Sequence, residues 1–413
     1  MIGVVNVMHK NILFILGGLA IGGVETYIVR LTKELRCIGC NVDVLILSNK
    51  LDSKLMTNIS EHANVTVIEN VPFLSASSWI NALLPINKNV NRPVYDIIHV
   101  VDLLTLGFIF LNKDIIRFNA LSIGIYHSLE ISWWRKKDAY FRKKLIELYD
   151  LNVNLTLFPS DSIAKYAGDF VDVDVTKLDI LPLGIELSKY SDCAPSRKSL
   201  KIVSVGRLVD FKVYNKHMIM QLSEIRKLGD FHYYIYGDGP ERGVLQSLVA
   251  ACGVFDYVHF MGHIEYDELP YVLNSSYCFV GSGTSIIEAS AAGIPSIVGI
   301  ESIKDSNTCG FFSDVVGYSY NEESATSKRI TFFEIFEELV ELTDVAYAEL
   351  SSQHRAKARE FDLKVTALNF LKMTSKKPDF SFSFNRWRAI ISFLVSIVRF
   401  GPKALKRRFD HNS

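Results

Sequence analysis

Nowhere in this chain do the ~18–20 unbroken apolar residues of a transmembrane helix occur, which excludes a bilayer-spanning segment of that kind. Ile12-Leu13-Phe14-Ile15-Leu16, coming after Lys10, has the look of a signal peptide. Gly17-Gly18 and Gly22-Gly23 interrupt it, however, and no small-residue cleavage site follows. A helical pattern starts at once, so the run reads as a first buried strand. Cysteine is scarce, six residues without regular spacing, which fits free thiols in a reducing compartment. Cys37-Ile38-Gly39-Cys40 is a lone C-x-x-C with no second pair to complete a zinc site. It closes a helical pattern, so a buried helix end competes there with a redox or metal role. Also missing are H-E-x-x-H, G-x-x-x-x-G-K-[ST] and G-x-S-x-G, the marks of zincins, P-loop proteins and serine-elbow hydrolases. Asp172-Val173-Asp174 lies in an acidic connector, and His259 and His263 sit on a strand and a turn, where they do not converge. No metal site is expected.

The hydrophobic share of 49% with 22% charged residues is that of a folded protein, and 413 residues are too many for one ordinary core. Net charge is zero but unevenly placed: residues 376–413 hold nine Lys/Arg against two Asp, a basic tail of the kind drawn to anionic surfaces. Strand-like apolar runs fall near 11–16, 42–47, 65–69, 96–101, 121–126 and 154–158. A second series lies near 201–206, 232–237, 257–261, 277–281 and 295–299. Val24, Tyr27, Ile28, Leu31 and Leu35 mark one apolar face of a helix after the first strand. Continuous apolar strands alternating with helices imply parallel sheets covered on both faces. The polar connector 186–200 separates two such sheets, giving domains at 1–185 and 199–350, a terminal helix at 351–375 packing back across them, and the tail at 376–413.

Strand-to-helix junctions of such sheets face the crevice where ligands bind. Gly206-Arg207-Leu208-Val209-Asp210-Phe211-Lys212 brings two cations to one junction. Arg forks onto phosphate oxygens and Lys supplies a compact charge, although surface ion pairing is the plainer use of both. Gly283-Thr284-Ser285 opens a helix carrying Glu288, whose small apolar neighbours leave a carboxylate in need of a partner. Cations suit a diphosphate and a carboxylate suits ribose hydroxyls, so the two stretches together read as a nucleotide-diphosphate site. Gly22-Gly23-Val24-Glu25 sits between the first strand and its helix, as a close-approach loop for an anion or simply as a tight turn. Gly237-Asp238-Gly239-Pro240 is first a turn signature.

Two segments point toward a membrane. In 133–149, Arg135, Lys136, Lys137, Arg142, Lys143 and Lys144 cover one helix side, and Trp134, Phe141, Leu145, Leu148 and Tyr149 the other. Such a helix either packs on its own domain or lies in a lipid interface. In the tail, Trp387, Ile390, Ile391, Leu394, Ile397 and Val398 share one wide face, flanked by Arg386 and Arg388 and followed by Lys403, Lys406, Arg407 and Arg408. This stretch either anchors on anionic lipid or covers the protein's own surface.

Taken together, these motifs resemble glycosyltransferase family 4, the retaining sugar transferases of GT-B fold, over roughly 11–372. The resemblance rests on Gly22-Gly23-Val24-Glu25, Gly206-Arg207-Leu208 to Lys212, Tyr236-Gly237-Asp238-Gly239-Pro240, Phe260-Met261-Gly262, and Gly283 through Gly293-Ile294-Pro295. It implies that Arg207 and Lys212 hold the donor diphosphate and that Glu288 receives the ribose hydroxyls. Backbone near Ile264 would meet the base, and Gly283, Thr284 and Ser285 with Gly22, Gly23 and Gly237 would line the nucleotide pocket. His127, in Gly124-Ile125-Tyr126-His127, would stand beside the transferred sugar as the catalytic residue. The resembled pattern commonly carries a second carboxylate eight residues before Glu288; here Val280 occupies that place.

The expected architecture is therefore α/β, GT-B: two Rossmann-like domains with parallel sheets facing a cleft, an N-terminal acceptor domain, a C-terminal donor domain and a C-terminal amphipathic helical tail. The expected reaction moves a hexose from a UDP- or GDP-sugar to an acceptor hydroxyl with retention, without a metal or other cofactor. A lipid-linked glycan in polysaccharide biosynthesis is the expected acceptor. The enzyme would be cytoplasmic and peripheral on the inner face of the membrane through 133–149 and 386–408, with no nucleic-acid partner. Two rivals stand beside this reading: a weakened or inactive family member serving as a membrane-associated assembly partner, and a GT-B sugar-nucleotide epimerase.

Overall fold

The computed structural model describes residues 9–20, 22–68, 78–84, 93–127, 130–135, 140–168, 178–319, 329–374, 376–379, 382–392 and 394–395. Asp172 and Asp174, Lys136 and Lys137, and the tail from 396 onward lie outside them. The chain forms two compact units. One takes residues 1–184 and 363–413, and the other takes 185–362.

The first unit is built on seven strands: β1 (Asn11–Leu16), β2 (Asn41–Ile46), β3 (Asn64–Val67), β4 (Tyr95–Val100), β5 (Phe118–Gly124), β6 (Thr156–Phe158) and β7 (Asp179–Ile180). They pair in the order β3-β2-β1-β4-β5-β6-β7, every pair parallel. Side chains alternate across a strand, so a strand buried on both faces must be apolar throughout. In β1, Leu13 and Ile15 enter one core while Ile12, Phe14 and Leu16 enter the other. This double burial is what the apolar runs in the sequence report.

The second unit repeats the plan with five strands: β8 (Lys201–Val205), β9 (His232–Tyr236), β10 (Val258–Gly262), β11 (Cys278–Gly281) and β12 (Ser296–Val298). Their order is β10-β9-β8-β11-β12, again parallel, with a short antiparallel pair β13 (Asn307–Thr308) and β14 (Ile330–Thr331) beside them. In each sheet the order reverses beside its first strand, between β1 and β4 and between β8 and β11. Such a reversal leaves a crevice outside the carboxyl ends of the strands, because the flanking crossovers leave to opposite faces.

Three expectations are corrected. The terminal helix 351–375 is two helices, Asp344–Arg359 and Leu363–Met373, the first part of the second unit and the second part of the first. The segment 133–149 is not one helix either: Glu130–Arg135 and Tyr140–Leu151 are separate. Trp134, Phe141, Leu145, Leu148 and Tyr149 all lie in the first unit's core, so the apolar side read as an interfacial face is occupied by packing.

The tail also packs on the first unit, by part of its apolar surface only. Arg386 Nη2 donates to the Leu111 carbonyl at 2.6 Å and the Asp379 amide to Asn152 at 2.6 Å. Phe382 meets Phe110 edge-on, Phe384 meets Phe141, and Ala389 is fully buried. Trp387, Ile391, Leu394 and Val395, which share a face at helical spacing, are left exposed, Trp387 by 74%. No helix among the described residues is long and apolar enough to cross a membrane.

The helix Leu363–Met373 is fixed by Phe370, fully buried and stacked on Phe14 at 5.7 Å, with the His99 ring edge-on at 5.3 Å. Phe370→Ala should cost about 3–5 kcal/mol, the range for emptying a buried aromatic site. A urea midpoint unchanged from the parent would show that this helix does not complete the first unit's core.

Candidate functional site

In the second unit the carboxyl ends of β8, β9 and β10 are laced together by backbone. The Gly206 amide donates to the Tyr236 carbonyl at 3.0 Å, Leu208 to Asp238 at 3.0 Å, and Gly237 to Gly262 at 2.7 Å. A Cβ at Gly237 would run into the Gly206 carbonyl, so this position is glycine for close approach. Gly237 thus acts as a spacer bringing the loops together.

Above this lacing stand the two cations. Arg207 is exposed and Lys212 half-buried; among the described residues neither side chain makes a hydrogen bond or ion pair. The plainer ion-pair use is therefore not what the structure shows. A side chain begun at Gly206 would start 3.3 Å from the Lys212 ammonium and 3.7 Å from the Tyr214 hydroxyl. That hydroxyl is buried and has no hydrogen-bond partner among the described residues. Two cations and a hydroxyl at a strand's carboxyl end are thus left without partners among the described residues.

Across the order reversal, β11 leads through Ser282 and Gly283 into the helix Thr284–Ala291. Gly283 is its N-cap at φ 72°, a left-handed conformation that glycine adopts without strain, and nothing lies within 4 Å of where its Cβ would be. The open space lies over the first-turn amides, the end of a helix that attracts negative charge. Ser285 Oγ donates to the carbonyls of Val205 and Ser282, both at 3.0 Å, tying this turn to the end of β8. Its hydroxyl is thus engaged within the fold. Glu288, one turn further, is 3% exposed between Ile287 and Ala289. Ile264 lies two residues past β10, half-buried against the second unit's core. Val280 is fully buried in the core with Ile202 and Ile235, so β11 presents no acidic side chain at this edge.

The first unit's reversal has the opposite character. Gly22 caps the helix Gly23–Cys37 in an extended conformation, and a Cβ there would strike the Glu25 carboxylate. Asp102, just past β4, caps the helix Leu103–Leu111 by accepting from the Thr105 amide at 2.7 Å. Glu130 accepts from Trp134 Nε1 at 2.9 Å. Burial raises the pKa of all three carboxyls, and the Asp102 charge raises Glu25 and Glu130 further; Glu130 is pushed up to about 7. His127, exposed beyond β5, accepts the Glu130 amide on its carbonyl at 3.0 Å. Behind it the buried His99 bridges Ser122 and Tyr126 at 2.8 and 2.9 Å, and burial lowers its pKa to about 3, so it stays neutral. The sequence hinted at Asp102 only through the cap spacing Asp102-x-x-Thr105, and Glu130 carried no signal.

With this geometry in place, similarity to known proteins can be read. Residues 21–189 match the family described as Glycosyltransferase Family 4, and residues 193–317 match Glycosyl transferases group 1. The chain belongs to glycosyltransferase family 4. It is 29% identical over 130 residues to the 2-deoxystreptamine glucosyltransferase of Streptomyces kanamyceticus, covering 30% of this chain and 33% of that protein. It is 27% identical over 196 residues to a GDP-mannose-dependent alpha-(1-6)-phosphatidylinositol monomannoside mannosyltransferase of Mycobacterium tuberculosis, covering 42% and 50%. The chain thus spans between a third and a half of the length of these two relatives. Among solved structures, HepE of Anabaena in complex with UDP aligns over 88% of this chain and 98% of its own, at TM-score 0.62 and 16% identity. The lipopolysaccharide glycosyltransferase WaaG aligns over 89% and 100%, at 0.54 and 14%. These likenesses are of fold, and the fold of this family 4 member is GT-B.

The buried carboxyl at Glu130 gives a pH signature. Its pKa in the fold, about 7, lies above the ordinary 4.5, so between these values the folded state holds a proton that the unfolded state has lost. Stability from this group is full below pH 4.5 and is lost as pH rises through 7, with a slope of up to ~1.4 kcal/mol per pH unit. Glu130→Gln should flatten the fall in urea midpoint between pH 5 and 7.5; an unchanged slope would place the titration elsewhere.

Proposed function

We propose that this chain is a retaining hexosyltransferase. The second unit binds a nucleoside-diphosphate sugar, and the sugar passes to a hydroxyl of a lipid-linked glycan in polysaccharide biosynthesis. The carrying observation is the pairing of unengaged Arg207 and Lys212 at the end of β8 with the open Gly283 helix start at the end of β11. In this reading the diphosphate lies between them, and its departing charge is stabilised by the two cations and the first-turn amides without a metal. Glu288 takes the ribose hydroxyls, and the backbone beside Ile264 faces the base. Retention follows from the family resemblance.

The first unit is assigned the acceptor. Sugar hydroxyls are hydrogen-bond donors, and Glu25, Asp102 and Glu130 offer acceptors at its order reversal; His127 is assigned the catalytic role that the family resemblance implies. The UDP held by HepE and the phosphatidylinositol mannoside named for the mycobacterial relative support the donor and acceptor classes. Buried Val280 favours a second reading, a family member that binds nucleotide without turnover.

Lys212→Ala and Arg207→Ala should each weaken UDP or GDP binding by about 1.5–3 kcal/mol, roughly ten- to hundred-fold, with unchanged thermal unfolding. Calorimetry with EDTA present checks both the cations and metal independence. Parent-like affinity in both variants would displace the site, and donor turnover that needs added manganese would overturn the metal-free assignment. Tight nucleotide binding without turnover of any sugar nucleotide would favour the second reading.

The reading also places the protein peripherally on the cytoplasmic membrane face, through the exposed face of Trp387, Ile391, Leu394 and Val395. Each basic neighbour reaching anionic headgroups adds ~1 kcal/mol. Because Phe382, Phe384 and Ala389 belong to the first unit's packing, truncation would damage the fold, and substitution is the cleaner test. Trp387→Glu with Ile391→Glu should abolish co-sedimentation with anionic vesicles at low salt. Equal recovery of parent and double variant would remove this face as the anchor.

A further inference from the structure

One carboxylate at the second unit's crevice is assigned no task by the motifs. Glu301 lies three residues beyond β12, in a loop that crosses the end of β11. The loop is pinned on both sides. The Gly299 amide donates to the Gly281 carbonyl at 2.7 Å, and the Ser302 amide donates to the Phe211 carbonyl at 2.8 Å, next to Lys212. Ser302 holds φ at 62°, a left-handed conformation uncommon for a residue with a side chain. Strain of this kind persists where the surroundings impose it, and it clusters at functional sites. Gly299 lies flat against the Tyr214 ring: a Cβ there would come within 2.6 Å of it. The loop is therefore held over the order reversal between the cations of β8 and the helix start after β11.

Glu301 itself is half-buried and accepts one hydrogen bond, from Ser282 Oγ at 2.7 Å. Ser282 is 1% exposed and immediately precedes Gly283, the cap of the anion-attracting helix. Among the described residues no cation lies within ion-pair distance of Glu301, and no other side chain or amide donates to it. An ionised carboxylate has about four acceptor positions, so one donor leaves most of them unfilled. A diphosphate cannot fill them: it has no hydrogen to donate at neutral pH, and it repels the charge. A sugar can, because its hydroxyls donate and the resulting charge-assisted bonds are strong.

We infer that Glu301, oriented by Ser282, is the sugar-reading residue of this site, accepting hydrogen bonds from hydroxyls of the hexose on the nucleoside diphosphate. The inference rests on the donor site proposed above and deepens it. It explains how a crevice in which β11 contributes no acidic side chain still recognises the transferred group. It also divides the labour by charge: Arg207 and Lys212 hold what every nucleoside diphosphate carries, and Glu301 distinguishes one sugar from another.

The test titrates full-length parent, Glu301→Gln, Ser282→Ala and Lys212→Ala with UDP, GDP and a set of their hexose conjugates, by calorimetry. Losing charge-assisted bonds to hydroxyls should lower the affinity of the preferred conjugate about tenfold or more in Glu301→Gln. Free UDP or GDP should bind that variant within about twofold of parent or more tightly, since no hydroxyl of the hexose is present and a like charge is gone. Ser282→Ala should weaken the preference in the same direction but less. A Glu301→Gln variant that keeps the parent's ranking and ratios among conjugates would overturn the inference. So would one that loses free nucleotide and conjugates equally, since Glu301 would then merely hold the loop. Failure of the underlying donor site shows separately, as parent-like nucleotide affinity in Lys212→Ala or no binding of any nucleotide by the parent.

Discussion

The second unit's crevice depends on backbone meeting backbone where no side chain can intervene. A Cβ at Gly237 would collide with the Gly206 carbonyl, so the close approach that carries the hydrogen bonds from Gly206 to Tyr236 and from Gly237 to Gly262 requires glycine at 237. That lacing sets where the β8 loop leaves the sheet, and so where Arg207 and Lys212 emerge. The same loop is caught from the other side by Ser285 reaching Val205 and by Ser302 reaching Phe211. Cations, helix start and Glu301 are thus placed by main-chain geometry more than by side-chain packing, which suits a site that must hold still around a flexible, charged ligand.

The two order reversals carry different electrostatics on the same topology. At the β8–β11 reversal two cations, Arg207 and Lys212, without partners among the described residues, stand alongside the carboxylates Glu288 and Glu301. At the β1–β4 reversal the groups are carboxyls whose pKa values burial raises, that of Glu130 to about 7. A buried carboxyl that remains protonated can donate as well as accept, which an ionised surface carboxylate cannot. One fold, used twice, therefore offers two distinct chemistries by exchanging the residues at a single kind of junction.

Much of this was legible in the residues. The strands of both sheets announce themselves because parallel strands buried on two faces must be apolar without interruption, and Arg207, Lys212 and Gly283 fall at the junctions that such strands define. What failed was local or tertiary. The two-residue β7 carries an aspartate and is too short to form a run. The segment 133–149 has continuous helical spacing, yet it folds as two helices. Its apolar side and that of the tail are equally greasy in sequence, and only packing shows that Phe141 is inside while Trp387 is outside. Asp102, Glu130 and Glu301 stayed hidden because their character comes from burial and from neighbours distant in the chain.

The return of Leu363–Met373 to the first unit has a consequence for synthesis. Residues of β1 and β4 leave the ribosome early, but Phe370, which packs on Phe14 and His99, emerges only after all of Ile185–Asp362 has been made. Until then an apolar surface of the first unit is open to solvent, whereas the second unit already holds every strand and helix it needs. The unit encoded first is therefore completed last, and the nascent chain carries an uncovered core face throughout the making of its other half.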